Sequence, residues 1–238
     1  MCGITGYVSL MGAKPIDNPT LERMVNIIYH RGPDESGMAI HGSVAMGMRR
    51  LSIIDLSGGS QPIYNEDKSI WTVFNGEIYN FKEFRSQLQA KGHIFKTNTD
   101  TEVIVHGYEE YGSNFLNYLY GKFAIAVHDI KRNKFLLARD HIGIKPLYYT
   151  FNDKHLIFGS EIKSILISKQ INPELNVDAL GEFLSWEYVP GEGTLIKGIK
   201  KLQPGYFIEI DLDNPKCIPQ MYWDIPLVEH GENNLSMD

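Results

Sequence analysis

Phe123-Ala124-Ile125-Ala126-Val127-His128, Phe135-Leu136-Leu137-Ala138, Leu147-Tyr148-Tyr149-Thr150-Phe151 and Leu156-Ile157-Phe158 follow one another within residues 123–158. Each is a short run of apolar and aromatic side chains bounded by Gly or Asn/Asp turn residues, the signature of a strand. No helical periodicity separates them. Earlier runs repeat the pattern: residues 3–10, 37–40, 44–54 and 70–74 read as strands. Residues 206–212 alternate apolar and polar side chains, as a half-buried strand does.

Helices are fewer and fall between groups of strands. Asn18-Pro19 predicts a capped start with proline at the first helical position, and Leu21, Met24, Val25 and Ile28 then give one apolar face. Phe81, Phe84 and Leu88 mark one side of a second helix. Thr99-Asp100-Thr101-Glu102 is a capping-box pattern, opening a third that stops near Gly112. Asn176 caps another, with Leu175 and Leu180 spaced as a hydrophobic staple. Strands in groups, with helices not alternating one by one, favour antiparallel sheets carrying helices on their outer faces over a doubly wound parallel sheet. From about residue 213 the chain turns polar. Residues 2–212 are therefore expected to form one domain, and residues 213–238 its end and a polar linker.

Composition narrows the function classes. The chain has 238 residues, 43% of them hydrophobic, enough for a real core. With 23 basic and 29 acidic side chains the net charge is −6, and no Lys/Arg cluster forms a stripe. Nucleic acid and anionic membrane are poor partners for such a surface. No stretch approaches a membrane span, and the start has neither the basic region nor the apolar run of a signal peptide. Cys2 and Cys217, the two cysteines, make no disulfide framework, which favours a reducing, cytoplasmic setting. The eight histidines show no metal-ligand spacing, so no metal site is expected.

Cys2 directly follows the initiator Met1, which is expected to be removed before so small a residue. Removal leaves a thiol and an α-amine on one residue. Such an amine titrates at about 7.7–8.0 and a thiol at about 8.5, so the amine can take the thiol proton near neutrality. One residue then supplies both nucleophile and base. For an arbitrary cysteine, burial in a first strand is the commoner role. Asn75-Gly76, taken alone, is the strongest short signal for a hairpin turn.

The ordered set of motifs changes both readings. Cys2-Gly3-Ile4, His30-Arg31-Gly32-Pro33-Asp34 with Gly37, Arg50-Leu51-Ser52-Ile53 and Asn75-Gly76-Glu77-Ile78-Tyr79-Asn80 occur in sequence. Thr99-Asp100-Thr101-Glu102-Val103-Ile104, Arg139-Asp140-His141 with Gly143, and Lys145-Pro146-Leu147-Tyr148-Tyr149 follow. Together they resemble the class II glutamine amidotransferase domain, and most closely that of glutamine-hydrolysing asparagine synthetases. The resemblance runs from Cys2 to about Asp224 and takes in Tyr188-Val189-Pro190 and Lys197-Gly198-Ile199.

The resemblance implies the N-terminal nucleophile hydrolase fold, a four-layer αββα sandwich with two antiparallel sheets between helices. It implies that Cys2 is the nucleophile and that Asn75 and Gly76 form the oxyanion hole. It further implies that Arg50 grips the α-carboxylate of L-glutamine, that Asp100 accepts its α-amine, and that Ile53, Ile54 and Glu77 line the pocket. Arg49 beside Arg50 makes the register a question, and Arg50 is preferred because it immediately precedes Leu-Ser-Ile. Asp100 also suits the first turn of a helix by charge alone.

No cofactor is expected in this chain. ATP and magnesium would belong to a C-terminal synthetase domain, in cis or as a separate chain, that receives the ammonia. Ser57-Gly58-Gly59-Ser60 begins like a pyrophosphate loop but runs into Gln61-Pro62 without the required Asp, and so predicts no nucleotide site. A homodimer is left open. The competing readings are another class II amidotransferase with a different acceptor, a non-catalytic amidotransferase-like module, and a papain-like Cys-His hydrolase. Retention of Cys2, Asn75 and Asp100 together disfavours the second, and nothing near the histidines supports the third.

Overall fold

The computed structural model describes residues 2–51 and 59–226. Two six-stranded sheets, antiparallel throughout, stack face to face. In the first, β1 (Gly3–Ser9) is central, flanked by β3 (Val44–Arg50) and β9 (His155–Gly159). β2 (Glu35–His41) closes one edge, while β8 (Tyr148–Phe151) and β10 (Lys200–Lys201) close the other. In the second, β5 (Ile70–Ile78) and β6 (Gly121–Asp129) pair along nine residues. β4 (Ile63–Tyr64) lies outside β5; β7 (Lys134–Arg139), β11 (Tyr206–Asp211) and β12 (Gln220–Met221) lie outside β6.

Alternation along the strands builds three apolar layers. Ile4, Val8, Met46 and Met48 of the first sheet meet Trp71, Val73, Ala124, Ala126 and Leu137 of the second, which makes the inner core. The other face of the second sheet, with Phe74, Ile78, Phe123 and Ile125, is covered by α2 (Phe81–Ala90) and α3 (Glu102–Tyr111). Tyr7, Ala45 and Ile157 on the outer face of the first are covered by α1 (Asn18–Asn26) and α4 (Ile162–Leu166). The result is the αββα sandwich. A further helix, α5 (Val177–Trp186), is capped by Asn176, whose side chain accepts from the Ala179 N–H at 3.3 Å.

Three local expectations need correction. The cap of α1 is Asp17, whose carboxylate accepts from the Thr20 N–H at 3.0 Å, so Asn18 is already helical and the start shifts by one residue. The capping box at α3 does not form: the helix begins at Glu102, so Thr99 is not its cap, and Thr101, which precedes it, has helical backbone angles and caps nothing with its side chain. Glu102 instead turns back to the preceding loop, accepting from the N–H groups of Lys96 and Thr97 at 2.7 Å each. The strand expected over residues 70–74 runs on to Ile78, because Asn75, Gly76 and Glu77 pair in register with Ala124, Phe123 and Lys122. Beyond residue 212 the chain adds β12 to the second sheet, and the Tyr222 hydroxyl donates to the Arg139 carbonyl at 2.8 Å.

Candidate active site

Cys2 stands at the head of the central strand β1, where the backbone is held from two sides. The Arg31 Nε donates to the Cys2 carbonyl at 3.0 Å, and Arg31 is itself fixed by Glu161 at 2.9 Å. Glu161 also meets His30 at 2.7 Å and Lys163 at 3.2 Å. Burial opposes the charge on Glu161, but these three partners outweigh it and hold the carboxyl at about 2. The close approach of Arg31 explains Gly3, where an added Cβ would lie 2.8 Å from the Arg31 Cδ. The Cys2 Sγ accepts from the Leu51 N–H at 3.4 Å, so the thiol is already met by a backbone donor.

The thiol opens on a cavity of about 70 Å³ whose wall includes Arg50, Gln61, Gly76, Glu77, Thr99 and Asp100. Alternation along β3 separates the two neighbouring arginines. Arg50 turns into the cavity, where its Nη1 meets a Glu35 oxygen at 3.0 Å. Arg49 turns away, donating to the Asn26 side chain at 2.6 Å and lying over the Tyr29 ring at 4.9 Å. The absence of a side chain at Gly59 makes room for Arg50, since a Cβ there would lie 2.1 Å from its Nη2. Glu35 in turn takes the Ser60 hydroxyl. Burial raises its pKa, yet the hydrogen bonds from Ser60 and Arg50 prevail and lower it below the usual value.

On β5, strand alternation places Asn75 and Gly76 on opposite faces of the sheet. Asn75 is buried, and neither its side-chain oxygen nor its nitrogen has a hydrogen-bond partner. An amide left this way costs about 1–3 kcal/mol unless something occupies the space it faces. Gly76 is dictated by the ladder, since a Cβ would come within 2.1 Å of the Lys122 carbonyl oxygen. Phe74 beside them is held on both N–H and C=O by the Gln61 side chain, at 2.7 and 3.2 Å.

Asp100 precedes α3 and is 6% exposed, with Oδ2 accepting from the Ile78 N–H at 2.9 Å. Its pKa is raised, first by burial, then by the charge of Glu77 across the cavity. Glu77 is anchored by Lys122 at 3.1 Å. One thiol, one guanidinium and two carboxylates thus face a common space.

Of the residues singled out in the sequence, Cys2, Arg50, Gly76, Glu77 and Asp100 line one cavity, and Asn75 lies between two of its neighbours. Ile53 and Ile54 lie outside the described residues. Gln61, Thr99 and Thr101 stand in the quoted motifs without an assigned site role, and Glu35 falls between quoted motif residues. Gln61 carried a signal, since it stands in Ser57-Gly58-Gly59-Ser60-Gln61-Pro62, a stretch that departs from a pyrophosphate loop at that residue. Glu35 sits one residue after His-Arg-Gly-Pro-Asp, inside a motif whose polar members could all have been tried as partners of Arg50.

A family model of the glutamine amidotransferase domain matches residues 1–223. The glutamine-hydrolysing asparagine synthetase 3 of Bacillus subtilis strain 168 is 36% identical over 238 residues, covering 98% of this chain and 38% of that protein. Asparagine synthetase 1 of the same organism is 41% identical over 207 residues, covering 86% and 33%. An amidase of Gibberella zeae, chry2, is 36% identical and covers 94% and 34%. The chain spans about a third of the length of these curated relatives. Among solved structures, the glutamine phosphoribosylpyrophosphate amidotransferase of B. subtilis superimposes with a TM-score of 0.67 at 17% identity, over 93% of this chain and 49% of that one. At that identity the likeness concerns the fold.

Proposed function

This chain belongs to the glutamine amidotransferase domain family, and from that premise we propose that it hydrolyses L-glutamine to glutamate and ammonia through a thioester on Cys2. The observation that carries the proposal is the cavity in which the Cys2 thiol, the Arg50 guanidinium and the Asp100 carboxylate converge. Glutamine offers an α-carboxylate for a planar bidentate donor and an α-ammonium for a buried carboxylate, with a side-chain amide left to meet the thiol.

With Met1 removed, the α-amine of Cys2 takes the thiol proton, and the thiolate attacks the amide carbon. A C–S bond forms and the carbonyl becomes an oxyanion. The Asn75 amide and the Gly76 N–H are assigned as its donors, the usual largest single contribution in acyl transfer. The unpartnered Asn75 amide supports that role, because a donor kept free in the resting enzyme is ready when the charge appears. Collapse of the intermediate breaks the C–N bond, and the protonated amine gives its proton to the departing ammonia. Water, giving a proton to the now neutral amine, then adds to the thioester, and the C–S bond breaks to release glutamate and restore the Cys2 sulfur and its protonated amine.

The ammonia released must then reach an acceptor. The motifs and the two B. subtilis relatives support aspartate, amidated to asparagine by an ATP- and magnesium-dependent synthetase domain in cis or on a separate chain. The decisive test of the glutaminase step is Cys2→Ala. It should abolish glutamate release while the circular dichroism and melting temperature stay close to the parent, since a thiol is lost and little core is. Glutaminase activity comparable to the parent in that variant would remove the nucleophile assignment.

A further inference from the structure

Where α3 meets the turn between β4 and β5, four side chains from three separate segments turn toward one point. Glu66 comes from the turn between β4 and β5, His93 from the connection between α2 and α3, and His106 and Glu109 from one face of α3. One ligand atom from each lies within 4.8 Å of the others. His106 is fully buried, and neither of its ring nitrogens has a hydrogen-bond partner. Its Nδ1 lies 3.4 Å from the Glu66 Oε2 and 4.0 Å from the Glu109 Oε2, which is 3.7 Å from the His93 Nδ1. These separations, and the 4.8 Å within which all four atoms lie, are wider than the edge of about 3.3 Å that a tetrahedron of zinc bonds near 2.0–2.2 Å requires, so the side chains must draw together on the ion.

The surroundings fit the same purpose. The opposite nitrogen of His106, Nε2, faces the Glu102 carboxylate at 3.6 Å, and that of His93 faces Glu110 at 3.2 Å. Each imidazole thus has an outer carboxylate behind it, the arrangement that fixes tautomer and basicity in metal-bound histidines. Glu66 spends its other oxygen on the Ile94 N–H at 2.8 Å, which orients Oε2 toward His106. Two carboxylates would balance a divalent charge.

We propose that Glu66, His93, His106 and Glu109 bind one divalent transition-metal ion of the zinc class, pinning the connection between α2 and α3 to the helix that carries Asp100 at its start. The site stands apart from the Cys2 cavity, so its role is structural. Sequence spacing could not reveal it, because only His106 and Glu109 are close in the chain.

The test uses the full chain stripped with a chelator, then titrated with zinc sulfate and, separately, cobalt chloride. One zinc per chain should bind and raise the melting temperature by roughly 5–10 °C at a hundredfold excess over Kd. Cobalt should give the visible bands of a tetrahedral site. Glu110→Gln should weaken binding by about 10–100-fold, and His93→Gln, Glu109→Gln or His106→Gln by more. Cys2→Ala should leave the stoichiometry unchanged. Should His106→Gln fail to fold, the less buried His93 and Glu109 variants carry the test. Absence of saturable uptake, uptake that survives His93→Gln and Glu109→Gln together, or uptake lost in Cys2→Ala would overturn the proposal.

Discussion

Arg49 and Arg50 are adjacent, yet one lies over Tyr29 outside the site and the other enters the cavity. Arg50→Ala should therefore raise KM for glutamine with a smaller change in kcat, because the guanidinium is assigned to a group remote from the scissile amide. Arg49→Ala should leave both constants near the parent. Steady-state kinetics of the pair decides between them, and the reverse result would shift the register by one.

Asp100 makes the pH dependence specific. Burial first and Glu77 second raise its pKa above the ordinary aspartate value of 3.8. It must be ionised to hold an α-ammonium, so KM should climb as pH falls through that raised value, sooner than an exposed aspartate would allow. The sign is fixed by the acid: below its folded pKa the group is neutral and binding weakens. Asp100→Asn should give a high KM that no longer changes over this acid range. An unchanged acid limb in that variant would assign the titration elsewhere.

β5 carries two neighbouring residues with opposite liabilities. Asn75→Ala removes an amide that already lacks partners, so stability should hold or rise slightly. Its kcat should fall by about a hundred- to a thousandfold, the cost of one lost oxyanion donor. Gly76→Ala forces a methyl against the Lys122 carbonyl 2.1 Å away, so β5 or β6 must shift. That variant should lose about 1–3 kcal/mol or more in urea unfolding. Equal stability loss in both would mean that Asn75 is a structural residue. How much of this was legible follows from the same strand. The Asn-Gly pair is a turn by local propensity and a ladder segment in the fold, because register with Ala124 and Phe123 overrides the local preference. The four strand runs within residues 123–158 were readable since their continuous apolar runs and bounding turn residues agree with the sheets they form, which bury both faces. The α3 capping box misled because Glu102, matching the motif, finds better donors in the loop before it.

At the scale of the whole molecule, the sandwich brings the head of β1 in one sheet to the middle of β5 in the other, and loops supply the charged groups between. Sequence motifs named Cys2, Arg50, Glu77 and Asp100 one by one; only the packing of the two sheets shows that they share one space. Contacts such as Glu35 with Arg50 or Gln61 with Phe74 were hidden because they join segments without a common motif. Among the described residues no helix is long and apolar enough to cross a membrane.

The central claim is that Cys2 becomes an N-terminal nucleophile in this cavity, and intact-mass spectrometry with and without a glutamine-analogue electrophile tests it most directly. The second cysteine makes an internal control, since burial pushes the Cys217 thiol up to about 12 and leaves it unreactive near neutrality. The account predicts loss of Met1 and one adduct per chain, placed on Cys2 by peptide mapping, slowed by excess glutamine and absent from Cys2→Ala. Retained Met1 in fully active protein, or an adduct on Cys217 that persists in Cys2→Ala, would contradict it.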